Sequence, residues 1–155
     1  MKKTYLYLTL LVLLLAISSS ALAAGSCTSS KKAVTENGIT WYVLVSMDWT
    51  ADVNGTVSSG TNCAVPNISG IIAEIHFDPA AAGDQPSNAY DVTVLDSDST
   101  DVAGGLGANL SNAATVHRTP RNTDGGSFNL HNTTLTPAIT NAGDANKGTI
   151  RIFLR

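Results

Sequence analysis

Asp96, Asp98 and Asp101 crowd the segment DSDSTD (96–101), which offers carboxylate and hydroxyl oxygens at alternate positions. Calcium loops space their ligands in this way. An EF-hand would require glycine at the sixth position and glutamate at the twelfth, where this chain has Asp101 and Gly107. Aspartate and serine also close turns, because their side chains bond to nearby backbone groups. Two readings therefore stand: a strand-to-loop turn, which is the simpler, and calcium held by Asp96, Asp98 and Asp101. No other cofactor is called for. The run Gly104-Gly105-Leu106-Gly107 that follows has no Gly-Lys-Ser/Thr, no G-x-G-x-x-G and no β-α-β frame, so it is not read as a phosphate cradle. Its glycines are expected to supply left-handed backbone or close packing.

The three histidines, His76, His117 and His131, are scattered, with no H-x-H or H-E-x-x-H at metal spacing. Glu74 and His76 flank Ile75 on one strand pattern, a spacing that puts an acid and a base on one face. A solvated strand face is the simpler reading of that pair. No G-x-S-x-G elbow is present. A glycosidase needs two carboxylates several ångströms apart in a cleft, and nothing selects a partner for Glu74 among the aspartates. Trp41, Tyr42 and Trp49 could stack on a sugar, although Trp41 and Trp49 share the inward-reading side of their strand and read first as core. No residue is assigned a catalytic role.

Strands must position these groups. WYVLVSMDWT (41–50) alternates over ten residues, with Trp41, Val43, Val45, Met47 and Trp49 on one face. The Val53-Asn54-Gly55-Thr56 segment that follows has the Asn-Gly of a type I′ hairpin, so the sheet is antiparallel there. SGIIAEIHF (69–77) predicts a strand with Ile71, Ala73, Ile75 and Phe77 inward. Tyr90–Leu95 predicts a third, with Tyr90, Val92 and Val94 inward. Thr115–Arg118 is a weaker candidate. Thr134–Thr140 is placed at an edge or bulge, because Pro137 cannot donate to a central ladder. Gly148–Leu154 closes the chain with Ile150, Ile152 and Leu154 inward. Ala103–Ala114 is the one stretch that could form a short helix. The reading is all-β: a single antiparallel β-sandwich, immunoglobulin-like or jelly-roll-like, at 40–155 after a polar segment at 24–39.

The N-terminus has the layout of a secretory signal peptide at 1–23: Lys2-Lys3, an apolar run from Leu6 to Ile17, and Ala21-Leu22-Ala23 as the cleavage site. The apolar run is short for a membrane span, which takes roughly 20 residues. Two cysteines in an exported chain pair naturally, and Cys27–Cys63 is the expected disulfide. Lipidation at Cys27 is the rival processing route. Removing the leader takes away two lysines and no acids, so the net charge moves from −3 to −5. Such a surface argues against nucleic acid, which needs a basic stripe, and against a polybasic membrane patch. Membrane contact is confined to the leader during export. The expected location is the periplasm, cell surface or extracellular space.

Four segments, MDWTADVNGTVS (47–58), ISGIIAEIHFDP (68–79), PSNAYDVTVLDSDSTDVAGGLGANLSN (86–112) and LTPAITNAGDANKGTIRIFLR (135–155), carry a resemblance to small virion-associated proteins of tailed bacteriophages and prophages. The resemblance covers residues 43–155. It implies a compact β-sandwich with a structural or attachment role, self-associating or bound to a protein partner, and supplies no catalytic residues. The signal peptide departs from that family, since virion parts assemble in the cytoplasm. The functional expectation is an exported, non-enzymatic structural or attachment protein, virion-like or at the cell surface. The alternatives are a carbohydrate-binding module, calcium-assisted at the 96–101 loop, and then a hydrolase of surface polymers.

Overall fold

Alternating side chains can bury one face of a strand only if a second layer covers it, and this chain supplies both layers. The computed structural model describes residues 25–58 and 63–155. The leader expected at 1–23 lies outside the described residues. The seven strands are β1 (Ser26–Glu36), β2 (Ile39–Thr50), β3 (Val65–Pro79), β4 (Asp91–Leu95), β5 (Val116–Arg118), β6 (Asn129–Thr140) and β7 (Lys147–Leu154). They form one antiparallel sheet in the order β1-β2-β7-β3-β6-β4, with β5 also paired to β3. The fold is all-β and sandwich-like, with no helix among the described residues.

The long strand β3 links the layers. Val65–Ile71 pairs with β6, while Ile72–Pro79 pairs with β7 and, at Ile75–Phe77, with β5. Between the layers lies one core, to which β2 gives Val45, Met47 and Trp49 and β7 gives Ile150, Ile152 and Leu154. Val92 and Val94 of β4 and Leu135 and Ile139 of β6 close it from the other side. The Trp49 and Tyr90 rings meet across it at 5.8 Å. Burial, with a smaller push from the Asp78 charge, raises the Tyr90 phenol to about 12.

The inward faces expected for β4 and β7 are those observed, and β5 forms where the weaker pattern placed it. Pro137 also sits where its missing amide does no harm. Its cross-strand partner is Val94, whose amide and carbonyl turn away to Asp101 and Val102. Pairing with β3 has already stopped at Leu135.

Several expectations are corrected. In β3 the buried residue is Ile72, not Ile71 or Ala73. Ile72 pairs with Leu154 and Glu74 with Phe153, so β3 advances two residues while β7 advances one. This bulge at Ala73 flips the alternation of the strand's first half. Trp41 continues the inward pattern of β2 but is 60% exposed, because the β7 ladder ends at the Val43–Leu154 pair. The polar lead is itself a strand: β1 pairs with β2 along nearly its whole length. Ala103–Ala114 forms turns, not a helix. Its glycines disfavour helix, and Gly107 instead sits where a Cβ would collide with the Val92 carbonyl and press on the Phe77 ring.

The Asn54-Gly55 turn is likewise not type I′. Gly55 alone takes a positive φ, of 74°, and its amide donates to the Asp52 carbonyl at 2.9 Å. The Asp52 carboxylate then accepts the amides of Asn54 and Thr56. The same turn recurs at Asp96–Thr100 and at Asn122–Gly126, each time with the first side chain taking two amides.

Cys27 and Cys63 are joined, with Cα atoms 5.1 Å apart, tying β1 to the segment before β3. Both are buried. A buried disulfide is in keeping with an oxidising environment.

Candidate functional site

The Ala73 bulge fixes which β3 side chains face outward. Beyond it, Ile75 and Phe77 point into the core, so Glu74, His76 and Asp78 line the opposite face. On β5, His117 pairs directly with His76. Side chains of a cross-strand pair stand roughly 5 Å apart, and the neighbour two residues along the same face lies within reach of long side chains. Glu74 is that neighbour. Three residues that the sequence scatters over 44 positions thus converge on one patch.

The geometry is tight. Glu74 Oε2 lies 2.9 Å from His76 Nε2, and Glu74 Oε1 lies 3.4 Å from His117 Nδ1. The two imidazoles sit with centroids 3.9 Å apart, and His76 rests on Phe153 at 4.6 Å. Phe153 in turn meets Tyr42 at 5.7 Å, so a row of rings crosses the outer face from β2 to β5. The close approach of His76 outweighs desolvation and, with smaller electrostatic help from His76 and His117, holds the Glu74 carboxyl below its usual value. His76 Nε2 is buried and, despite its nearness to Glu74, is not aligned for a hydrogen bond. Among the described residues it is the one buried side-chain polar atom without a hydrogen bond.

Next along β3, Asp78 accepts the Thr115 hydroxyl and the Arg151 guanidinium, each at 2.6 Å. The Thr115 bond, more than the Arg151 pairing, keeps its carboxyl below the ordinary 3.8 against partial desolvation. A carboxylate with a lowered folded pKa stabilises the fold fully above its unfolded value, and that contribution is lost as pH falls through the folded value. Asp78→Asn is therefore expected to flatten the fall in stability as pH drops below about 4, read from urea unfolding at each pH. Its surface position limits the effect to about 1 kcal/mol. Wild type and variant with parallel pH curves would remove this role.

Asp96, Asp98 and Asp101 do not converge in this way. The Asp96 carboxylate takes the amides of Asp98 and Thr100. Asp101 takes those of Val94, Ala103 and Gly105. Their oxygens close the turn and brace Ala103–Gly105, where Gly104 and Gly105 adopt positive φ. Asp98 is exposed and, with Asp96 and His131, borders a surface hollow of about 310 Å³. Among the described residues, the one group of three or more metal-capable side chains with ligand atoms within 4.8 Å of one another is Glu74, His76 and His117. The Glu74–His76 spacing was visible in the sequence. The third member was not, because only the β3–β5 register brings His117 to it.

A second exposed feature lies at the end of β2. Residues 39–42 pair with β1 alone and project past the β7 ladder. Thr40 pairs with Thr35 and Tyr42 with Val34, so Trp41 sits on a bulge. Bulges re-aim side chains. Ile39 and Trp41, exposed at 62% and 60%, are the most exposed large hydrophobic residues among those described.

These features define an all-β, disulfide-linked domain with a polar outer cluster and an apolar ribbon. Compared with protein-family profiles, curated protein sequences and solved structures, the chain matches none of them.

Proposed function

We propose that this is an exported, non-enzymatic structural or attachment protein that acts through protein–protein contact at the β1–β2 ribbon. The observation that carries the reading is the exposure of Ile39 and Trp41 on a two-stranded projection. Tryptophan is enriched among the residues that dominate binding energy at interfaces, and Trp41 and Ile39, exposed at 60% and 62%, leave most of their apolar surface open to a partner. The resemblance to virion-associated proteins supports a larger assembly as the partner, and the disulfide supports assembly outside the cytoplasm.

The double variant Ile39→Ser, Trp41→Ser tests it. Sedimentation of the purified chain, and co-sedimentation with particles and surface fractions of its host, should show wild type assembled and the variant released. An affinity loss of roughly 30-fold corresponds to a hot spot of about 2 kcal/mol. Stability in urea should change by less than about 0.5 kcal/mol, since neither side chain is in the core. A wild type that stays monomeric at high concentration and is absent from particles and surface fractions would sink the reading.

A carbohydrate-binding module is the second reading, favoured by the same exposed Trp41 ring, which could stack on a sugar. Binding on a glycan array that disappears with Trp41→Ser, alongside a monomeric wild type, would select it.

A further inference from the structure

We propose that Glu74, His76 and His117 form a binding site for a divalent transition-metal ion of the Zn²⁺ type. The donor set is one carboxylate and two imidazoles, a combination zinc accepts in open, three-ligand sites. Ions bound at about 2 Å by such donors hold neighbouring ligand atoms roughly 3.3 Å apart in tetrahedral geometry. Glu74 Oε2 lies 2.9 Å from His76 Nε2 and its other oxygen, Oε1, 3.4 Å from His117 Nδ1, both close to this spacing, and one ligand atom from each residue lies within 4.8 Å of the others. Small side-chain rotations of the exposed His117 and the half-buried Glu74 would complete the set.

A second observation points the same way. His76 Nε2 is buried, faces the carboxylate and makes no hydrogen bond. Buried polar atoms outside a hydrogen bond are few in folded proteins; this one has only the Glu74 carboxylate beside it, at 2.9 Å, and an ion shared by the two would use both groups as ligands. The ring of His76 is held by Phe153 on one side and His117 on the other, which fixes the direction of its lone pair. The ligand types argue for zinc over calcium or magnesium, which prefer all-oxygen shells. Glu74 and His76 come from the long central strand, whereas His117 comes from β5, whose ladder to β3 has only three residue pairs. The ion therefore staples this short edge strand to the sheet.

Isothermal titration of the full, untagged, oxidised chain with Zn²⁺ should give one saturable site per chain. His117→Ala should weaken it at least tenfold, and Glu74→Gln should weaken it as well. His131→Ala, which removes an exposed histidine on β6, should leave it unchanged. His117 is itself largely exposed, so its variant keeps the fold, and urea unfolding without metal checks this. Zn²⁺ should also raise the thermal midpoint of wild type and not that of His117→Ala. Absence of saturable binding at millimolar Zn²⁺ would overturn the proposal. So would affinity unaffected by His117→Ala, or affinity lost equally with His131→Ala.

Discussion

Cys63→Ser should lower the unfolding free energy by about 3–4 kcal/mol, and a reductant added to wild type should do nearly the same. The linked residues are 36 positions apart, and closing a loop of that size removes roughly this much entropy from the unfolded chain. The native state has its own reason to need the link. β1 is an edge strand whose ladder is to β2 alone, and much of its outer surface is polar. The bridge fastens it to the segment entering β3, the strand on which both layers depend. Serine at position 63 also leaves a hydroxyl where the cysteine is fully buried, adding a desolvation cost unless it finds a partner. Domains of this size have total stabilities of about 5–15 kcal/mol, so the loss is a large fraction. Urea unfolding with and without dithiothreitol measures it. A difference under about 0.5 kcal/mol would mean that the link constrains neither state.

What the sequence disclosed and what it concealed follow from the range of the physics involved. Strand β7 was legible because Ile150, Ile152 and Leu154 alternate without interruption and nothing in the ladder disturbs their phase. Strand β4 was legible for the same reason through Tyr90, Val92 and Val94. The first half of β3 misled, because the Ala73 bulge is set by pairing with β7 and leaves no mark in the local pattern. Trp41 misled because burial depends on where a neighbouring strand stops, here at Leu154, and alternation carries no such information. β1 was hidden by composition: an edge strand needs few apolar residues, and SCTSSKKAVTE reads as polar lead. The three recurring turns had a local signal in Asp52-x-Asn54-Gly55, Asp96-x-Asp98-Ser99 and Asn122-x-Asp124-Gly125. An Asx residue two before another and three before a residue of positive φ marks a side chain that caps two amides. That signal matches the bonds the Asp96 carboxylate makes to the amides of Asp98 and Thr100. The outer cluster was half legible, since Glu74-x-His76 is a period-two spacing and His117 joins only through register.

The register itself predicts opposite outcomes at two adjacent positions of β7. Ile152→Ala should cost about 2–5 kcal/mol, whereas Phe153→Ala should cost about 1 kcal/mol. Ile152 is fully buried and paired on one side with Val45 and on the other with Ile75, both fully buried as well. Its truncation opens a void between two ladders at the centre of the sheet, where the backbone is held from both sides and can least collapse to fill it. Phe153 points to the outer face and loses its contacts with Tyr42 and His76, on a surface that water can re-enter. Its removal should therefore be read in the mobility of the His76 ring, followed by its imidazole proton resonances, more than in urea. If the two variants lost equal stability, the assignment of inner and outer faces on β7 would fail. The placement of Glu74, His76 and His117 on one face would fail with it, because the β3–β7 pairing sets both.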